Sequence, residues 1–253
     1  MAFPQVEGTS TDTAVASGSS NYDLPANIQA GETLIAIVSG RCAAPNFTWG
    51  TGWNELVDVD RDDQACLSVA WKKAVGEETT VSISSSAATA FSFCCYRISG
   101  AADPSVSAPE ANSAIGENGS ANPPSLTASL GSAEILWIAS MCVQGDTTGP
   151  PTWPYADNRI SQVNGTTIMA AMCSDEIEAE TEDPDTFSGH DYDEWVAATI
   201  CVYPEAAATG TNTQINIGDD WKSIAGAQIN IGDDWKAVAA MWVNDGDSWK
   251  SIF

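Results

Sequence analysis

From residue 214 onward the sequence repeats itself with a period of 14. Residues 214–224 read QINIGDDWKSI and residues 228–238 read QINIGDDWKAV, identical at nine of eleven positions. A third copy, WVNDGDSWKSI, occupies residues 242–252, so that Trp221, Trp235 and Trp249 follow one another at intervals of 14. Each unit reads as strand, turn, strand: a short β-hairpin. Ile-Asn-Ile alternates apolar and polar residues as a half-buried strand does. Gly-Asp-Asp supplies turn chemistry, since Gly takes positive φ and Asp bonds back to nearby backbone. Trp-Lys-Ser-Ile returns as the partner strand, expected to set Trp and Ile on one face and Lys and Ser on the other. The apolar core of the repeat is then Ile215, Ile229 and Val243 with Trp221, Trp235 and Trp249. An isolated hairpin is marginal in water. Those indoles therefore need cover from stacked units, from the rest of the chain, or from neighbouring copies in a homo-oligomer. The Asp pairs lack calcium-loop spacing, so a turn role is expected for them rather than a metal site.

Ahead of the repeats, residues 205–211 (EAAATGT) read as a linker, which divides the chain into a body at 1–204, the linker, and hairpins at 212–253. The body offers short apolar runs bounded by turn residues at 32–39, 66–72, 79–84, 90–98, 135–143, 167–173 and 195–203. Residues 100–124, rich in Ala, Ser, Pro, Asn and Gly, read as a long connection. The blocks flanking it resemble each other: ETLIAI at 32–37 and AEILWI at 133–138, then Thr48-Trp49 and Thr152-Trp153, then further apolar runs, at an offset of about 101 to 105 residues. The expected fold is all-β: a β-sandwich of jelly-roll type, with an internal duplication supplying its two sheets, followed by the small hairpin segment.

Charge excludes several functions. Nine basic residues against 34 acidic give a net charge of −25, which repels nucleic acid and anionic lipid. No apolar run reaches the roughly 18 residues that span a bilayer, and the first residues, MAFPQ, show no secretory signal. Synthesis in the cytoplasm without membrane insertion is expected. The seven cysteines, at 42, 66, 94, 95, 142, 173 and 201, form no CxxC pair and lie mostly in apolar runs. Core packing is expected of them rather than a disulfide framework.

Catalytic patterns are missing. His190 is the single histidine and reads as a loop residue, with no nucleophile elbow to serve. The acidic runs at 58–63 and 175–185 are read as solvated loops, although paired carboxylates are what glycoside hydrolysis uses. The expectation is a chain that is not an enzyme, with no cofactor and no metal. Loops carrying Trp49, Trp53, Trp153 and Tyr155 are candidates for surface recognition, a glycan being the natural ligand of exposed aromatics.

The run LPANIQAGETLIA at 24–36, followed by TWGTGWNEL at 48–56 and YRISG at 96–100, resembles a β-sandwich module of tailed-bacteriophage virion proteins. The terminal INIGDDWK units are similar to strand, Gly turn, Trp-Lys repeats that end phage tail and fibre-like proteins. The resemblance implies a virion structural protein made in the host cytoplasm, a homo-oligomer contacting other virion proteins. It is expected to work as an exterior tail or fibre-type appendage, serving assembly or attachment to a host-surface glycan. A capsid decoration protein and a free carbohydrate-binding module are the alternatives.

Overall fold

The computed structural model describes residues 2–42, 47–145, 149–165 and 168–205, together with hairpin strands at 213–217, 220–224, 228–231, 234–237, 242–244 and 249–251. The chain divides into two compact units, Met1–Glu205 and Ala206–Phe253. It is an all-β protein, and every strand pairing is antiparallel.

The first sheet contains β1 (Gln5–Asp23), β2 (Thr33–Gly40), β3 (Phe47–Trp49), β4 (Asn54–Arg61), β5 (Ala65–Lys73) and β6 (Thr80–Ser99), in the order β1-β6-β2-β5-β4 with β3 also on β6. The second half supplies β7 (Glu110–Ala121), β8 (Leu126–Thr127), β9 (Ala133–Gly145), β10 (Asp157–Asn164), β11 (Ile168–Ala179), β12 (Thr181–Glu182) and β13 (Phe187–Val202). Five of these form a sheet in the order β7-β13-β9-β11-β10, while β8 pairs with β12. Counting major strands within each half, both sheets run first, fifth, second, fourth, third. Smaller details repeat as well: Thr48 pairs with Ser84, and Thr152 bridges to Ser188, each member displaced by 104 residues. Each sheet comes from one contiguous stretch. The two are therefore joined once, through residues 100–109, instead of by the repeated sheet-to-sheet crossings of a jelly roll.

The sheets pack face to face with β1 on β10, β6 on β10 and β11, β2 on β11 and β9, β5 on β9 and β13, and β4 on β13 and β7. Each strand thus meets the counterpart of a strand on the opposite side, and the central β2 and β9 meet each other. That is the arrangement of a closed twofold dimer, here within one chain, with the approximate axis running along the strands. The layer between the sheets buries Ile35, Ile37, Leu67 and Val69 against Leu136, Ile138, Met172 and Ile200. Each such side chain contributes roughly 1.5–3 kcal/mol on burial. The outer face of each sheet carries a further apolar cluster of its own, around Val38 and Phe93 in the first half and around Trp137 and Met141 in the second.

Local sequence explains the strand types. β2, TLIAIVSG, is buried at all eight positions, as a strand with partners on both edges and layers on both faces must be. β4 sits at a sheet edge and alternates: Val57 and Val59 join the layer between the sheets, and Asp58 lies on the outward side beside its partner Ser68. The acidic runs at 58–63 and 175–185 are therefore strand in large part, not loop. Alternation hides the apolar half of each run while the carboxylates mark the other face. Nor is residue stretch 100–124 a bare connection, because β7 occupies its middle; as an edge strand, β7 needs few large apolar residues. His190 falls within β13 rather than in a loop.

Cys42 and Cys66 form a disulfide with Cα atoms 5.9 Å apart. This corrects the expectation for two of the seven cysteines, which pair because the end of β2 and the start of β5 are neighbours in the sheet. The other five are free and buried.

In the second unit, β14 (Thr213–Ile217) pairs with β15 (Asp220–Ile224), β16 (Gln228–Ile231) with β17 (Asp234–Ala237), and β18 (Trp242–Asn244) with β19 (Trp249–Ser251). The registers are equivalent: Asn216 opposes Trp221, Asn230 opposes Trp235, and Asn244 opposes Trp249. Likewise Ile215, Ile229 and Val243 oppose Lys222, Lys236 and Lys250. Two expectations need correction. Asp220 and Asp234 are strand residues, paired with Ile217 and Ile231, so the turn is shorter than Gly-Asp-Asp. And because strand positions alternate, 221 and 224 belong to opposite faces of the hairpin, not to one. Gly218, Asp219, Gly232, Asp233, Asp245 and Asp247 lie outside the described residues.

Candidate functional site

Four aromatic residues were candidates for surface recognition, and the structure separates them into two pairs at equivalent places in the two halves. In the first half, β3 ends at Trp49 and the chain turns through Gly50-Thr51-Gly52 into Trp53, whose N–H donates to the Gly50 carbonyl at 3.2 Å. Two glycines make that turn possible. A Cβ at Gly50 would sit 3.0 Å from the Ser82 carbonyl oxygen, and Gly52 has φ of +85°, a left-handed conformation that favours glycine. The turn brings the two indoles into a stack, with ring centroids 5.2 Å apart and planes inclined by 29°. Both rings are half-buried, resting on the outer apolar cluster of the first sheet.

Beneath the stack the outward residues of β4 and β5 provide a polar network. Trp49 Nε1 donates to Ser68 Oγ at 2.8 Å, and Ser68 Oγ donates in turn to Glu55 Oε2 at 3.1 Å. Ser68 is fully buried, while Glu55 is exposed. Asp58, directly opposite Ser68 in the β4–β5 register, accepts a 3.4 Å hydrogen bond from the Phe47 N–H through Oδ2. Its Oδ1 is buried without a hydrogen-bond partner. Burial pushes the Asp58 carboxyl up to about 6, assisted by the charges of Glu55 and Asp60 and opposed by the Phe47 N–H. Burial likewise raises Glu55, with the Ser68 hydroxyl acting against the shift. The nearby cation is Lys72, which pairs with Glu78 at 3.3 Å and runs its stem under Gly52.

In the second half the same position is closed. Trp153 meets Phe187 edge to face, with centroids 6.0 Å apart. Tyr155 is 6 % exposed and donates its hydroxyl to Glu182 Oε1 at 3.3 Å. Burial drives the Tyr155 hydroxyl well above its ordinary range, helped by the charge of Glu182. Tyr155 is therefore a core residue and not a recognition residue, packed in the outer apolar cluster of the second half. The reading of the sequence found the two tryptophans of the first half but missed Ser68 and Glu55. Alternation puts Asp58 and its partner Ser68 on one outward face, but Glu55 joins them only through a bulge between Glu55 and Val57, which the sequence does not mark.

The arrangement suits binding better than acid–base catalysis. Asp58 has the raised pKa of a general acid, but its carboxyl is turned into the protein, with one oxygen sealed and the other on a backbone N–H. Among the described residues no group of three or more His, Cys, Asp or Glu side chains is placed to hold a metal ion. Comparison with family models, with curated proteins and with solved structures found no match to this chain. No helix of the described residues is long and apolar enough to cross a membrane.

Proposed function

We propose that this chain is a structural component of the outside of a bacteriophage particle, a homo-oligomeric tail or fibre-type appendage that attaches to sugars on the host surface. The observation that carries the attachment reading is the half-buried Trp49–Trp53 stack over the Ser68–Glu55 hydrogen bond. A flat aromatic face beside fixed polar groups is what a sugar ring requires: apolar contact for its C–H face and directional partners for its hydroxyls. Packing alone does not demand the stack, since Trp153 covers the equivalent outer face of the second half without a tryptophan partner. Two further features support the reading. One of the segments resembling phage virion modules, 48–56, is the platform itself, and the hairpin repeats resemble those that end tail proteins.

A glycan array probed with the intact protein and with Trp53→Ala tests attachment. Binding to a defined set of glycans, lost in the variant while its melting temperature holds, is the expected result. Silence on the array, or binding that survives the substitution, removes the attachment reading. Release of reducing sugar from a bound glycan would instead make the chain a glycosidase. Cryo-microscopy of the particle tests location: density on the tail is expected, and density on the capsid shell would make this a decoration protein.

A further inference from the structure

Resting on that reading of the Trp49–Trp53 platform, we infer that the sugar it takes carries a protonated amine, as a hexosamine with a free amino group does. The charges around the platform point one way. Glu55 is exposed at its edge and held by Ser68, and Asp60 follows on the same strand. The cation at this face, Lys72, is committed to Glu78, and both side chains are nearly buried, at 17 % and 11 % exposure. Elsewhere in the body Arg61 pairs with Glu117, Lys73 with Asp103, and Arg97 with Glu32. Six basic residues against 28 acidic ones in residues 1–205 leave the body with a net charge of −22. A uronate, sialate or phosphorylated sugar approaching this platform meets repulsion, and the cation beside it, Lys72, is already paired. An ammonium meets Glu55, a carboxylate whose position is fixed by a hydrogen bond and which Ser68 links to the edge of Trp49.

The test is a tryptophan-fluorescence titration with three probes, at a mildly acidic pH where ammonium and carboxylate are both charged. The probes are a fully deacetylated chitosan oligomer, its N-acetylated counterpart, and a sialylated oligosaccharide. The deacetylated oligomer is expected to bind best, to weaken as salt is raised, and to lose about tenfold in affinity in Glu55→Gln. That variant keeps the acceptor for Ser68 and so preserves the platform. Equal or tighter binding of the neutral or anionic probe, unchanged by Glu55→Gln, overturns the charge inference while leaving sugar attachment in place. If none of the three binds, or binding is indifferent to Trp53→Ala, the platform is no sugar site and both readings fall together.

Discussion

The side-chain amide of Asn164, at the end of β10, donates to the Ala14 carbonyl of β1 at 2.8 Å and also to the Phe91 carbonyl of β6 at 2.9 Å. Both of its N–H groups thus bridge from the second sheet to the first along the β1–β10 side of the sandwich. Asn164→Ala leaves two partly buried carbonyls without that donor, at a cost of about 1–2 kcal/mol. For a body of this size the melting temperature should fall by roughly 3–6 °C. Asn164→Asp should be worse, because it sets a carboxylate against two carbonyl oxygens. An Asp variant as stable as the native chain would show that Asn164 does not bridge the sheets.

Asp58 gives the fold a pH dependence whose sign can be worked out. Its carboxyl holds a proton up to about 6 when folded, against 3.8 for the free side chain. Between those values the folded state binds the extra proton, so stability falls as pH rises through 6, and the cost of the charge is complete above it. Asp58→Asn should therefore stabilise the protein above pH 7, on the order of 1 kcal/mol once solvent screening of this half-buried group is allowed for. Below about pH 4 the two proteins should melt together. Thermal melts across that range decide the matter; a destabilised variant at neutral pH would refute the assignment.

Thiol counting checks the cysteine arrangement. Five cysteines are free and buried, and two are joined. Native protein should resist iodoacetamide, denatured protein should take up five equivalents, and denatured, reduced protein all seven, as read by mass. Seven equivalents without reductant would mean that Cys42 and Cys66 are not bonded.

The hairpin unit carries the assembly prediction. Removing residues 212–253 should leave the body folded, with an unchanged far-ultraviolet spectrum and cooperative melting, because Met1–Glu205 is compact by itself. The mass in solution should drop to that of one chain. A truncated protein that keeps its original oligomeric mass would place the contacts between copies on the body instead.

What could be read from the sequence follows from where each strand sits. The apolar runs at 32–39, 66–72, 135–143, 167–173 and 195–203 correspond to β2, β5, β9, β11 and β13, and those at 79–84 and 90–98, read as two strands, are parts of the single β6; these are the six interior strands of the two sheets. Interior strands are covered on both faces and flanked on both edges, so their composition gives them away. Besides the two- and three-residue β3, β8 and β12, the body strands not foreseen, β1, β4, β7 and β10, are the four sheet edges. They satisfy one ladder and one buried face, which Ser, Thr, Gly, Asn and alternating Asp can do without a contiguous apolar run. The candidate site suffered the same blindness. Trp49 and Trp53 stand out in any sequence, but Glu55 and Asp58 belong to edge strand β4 and pass for loop acids. The Cys42–Cys66 bond was hidden because its partners meet only through the pairing of β2 with β5.

The way the chain leaves the body has a mechanical consequence. β13, flanked by β9 and β7, runs directly into residues 203–205, where Ala102 N–H donates to the Tyr203 carbonyl at 2.9 Å and Glu205 N–H to the Gly100 carbonyl at 2.7 Å. Tension applied through Glu205 along the strand loads two ladders in shear, and many hydrogen bonds must yield together. Had the chain left through edge strand β1 or β7, the same pull would peel a single ladder one bond at a time. An interior strand is the exit of a tethered domain that can be tugged without unravelling.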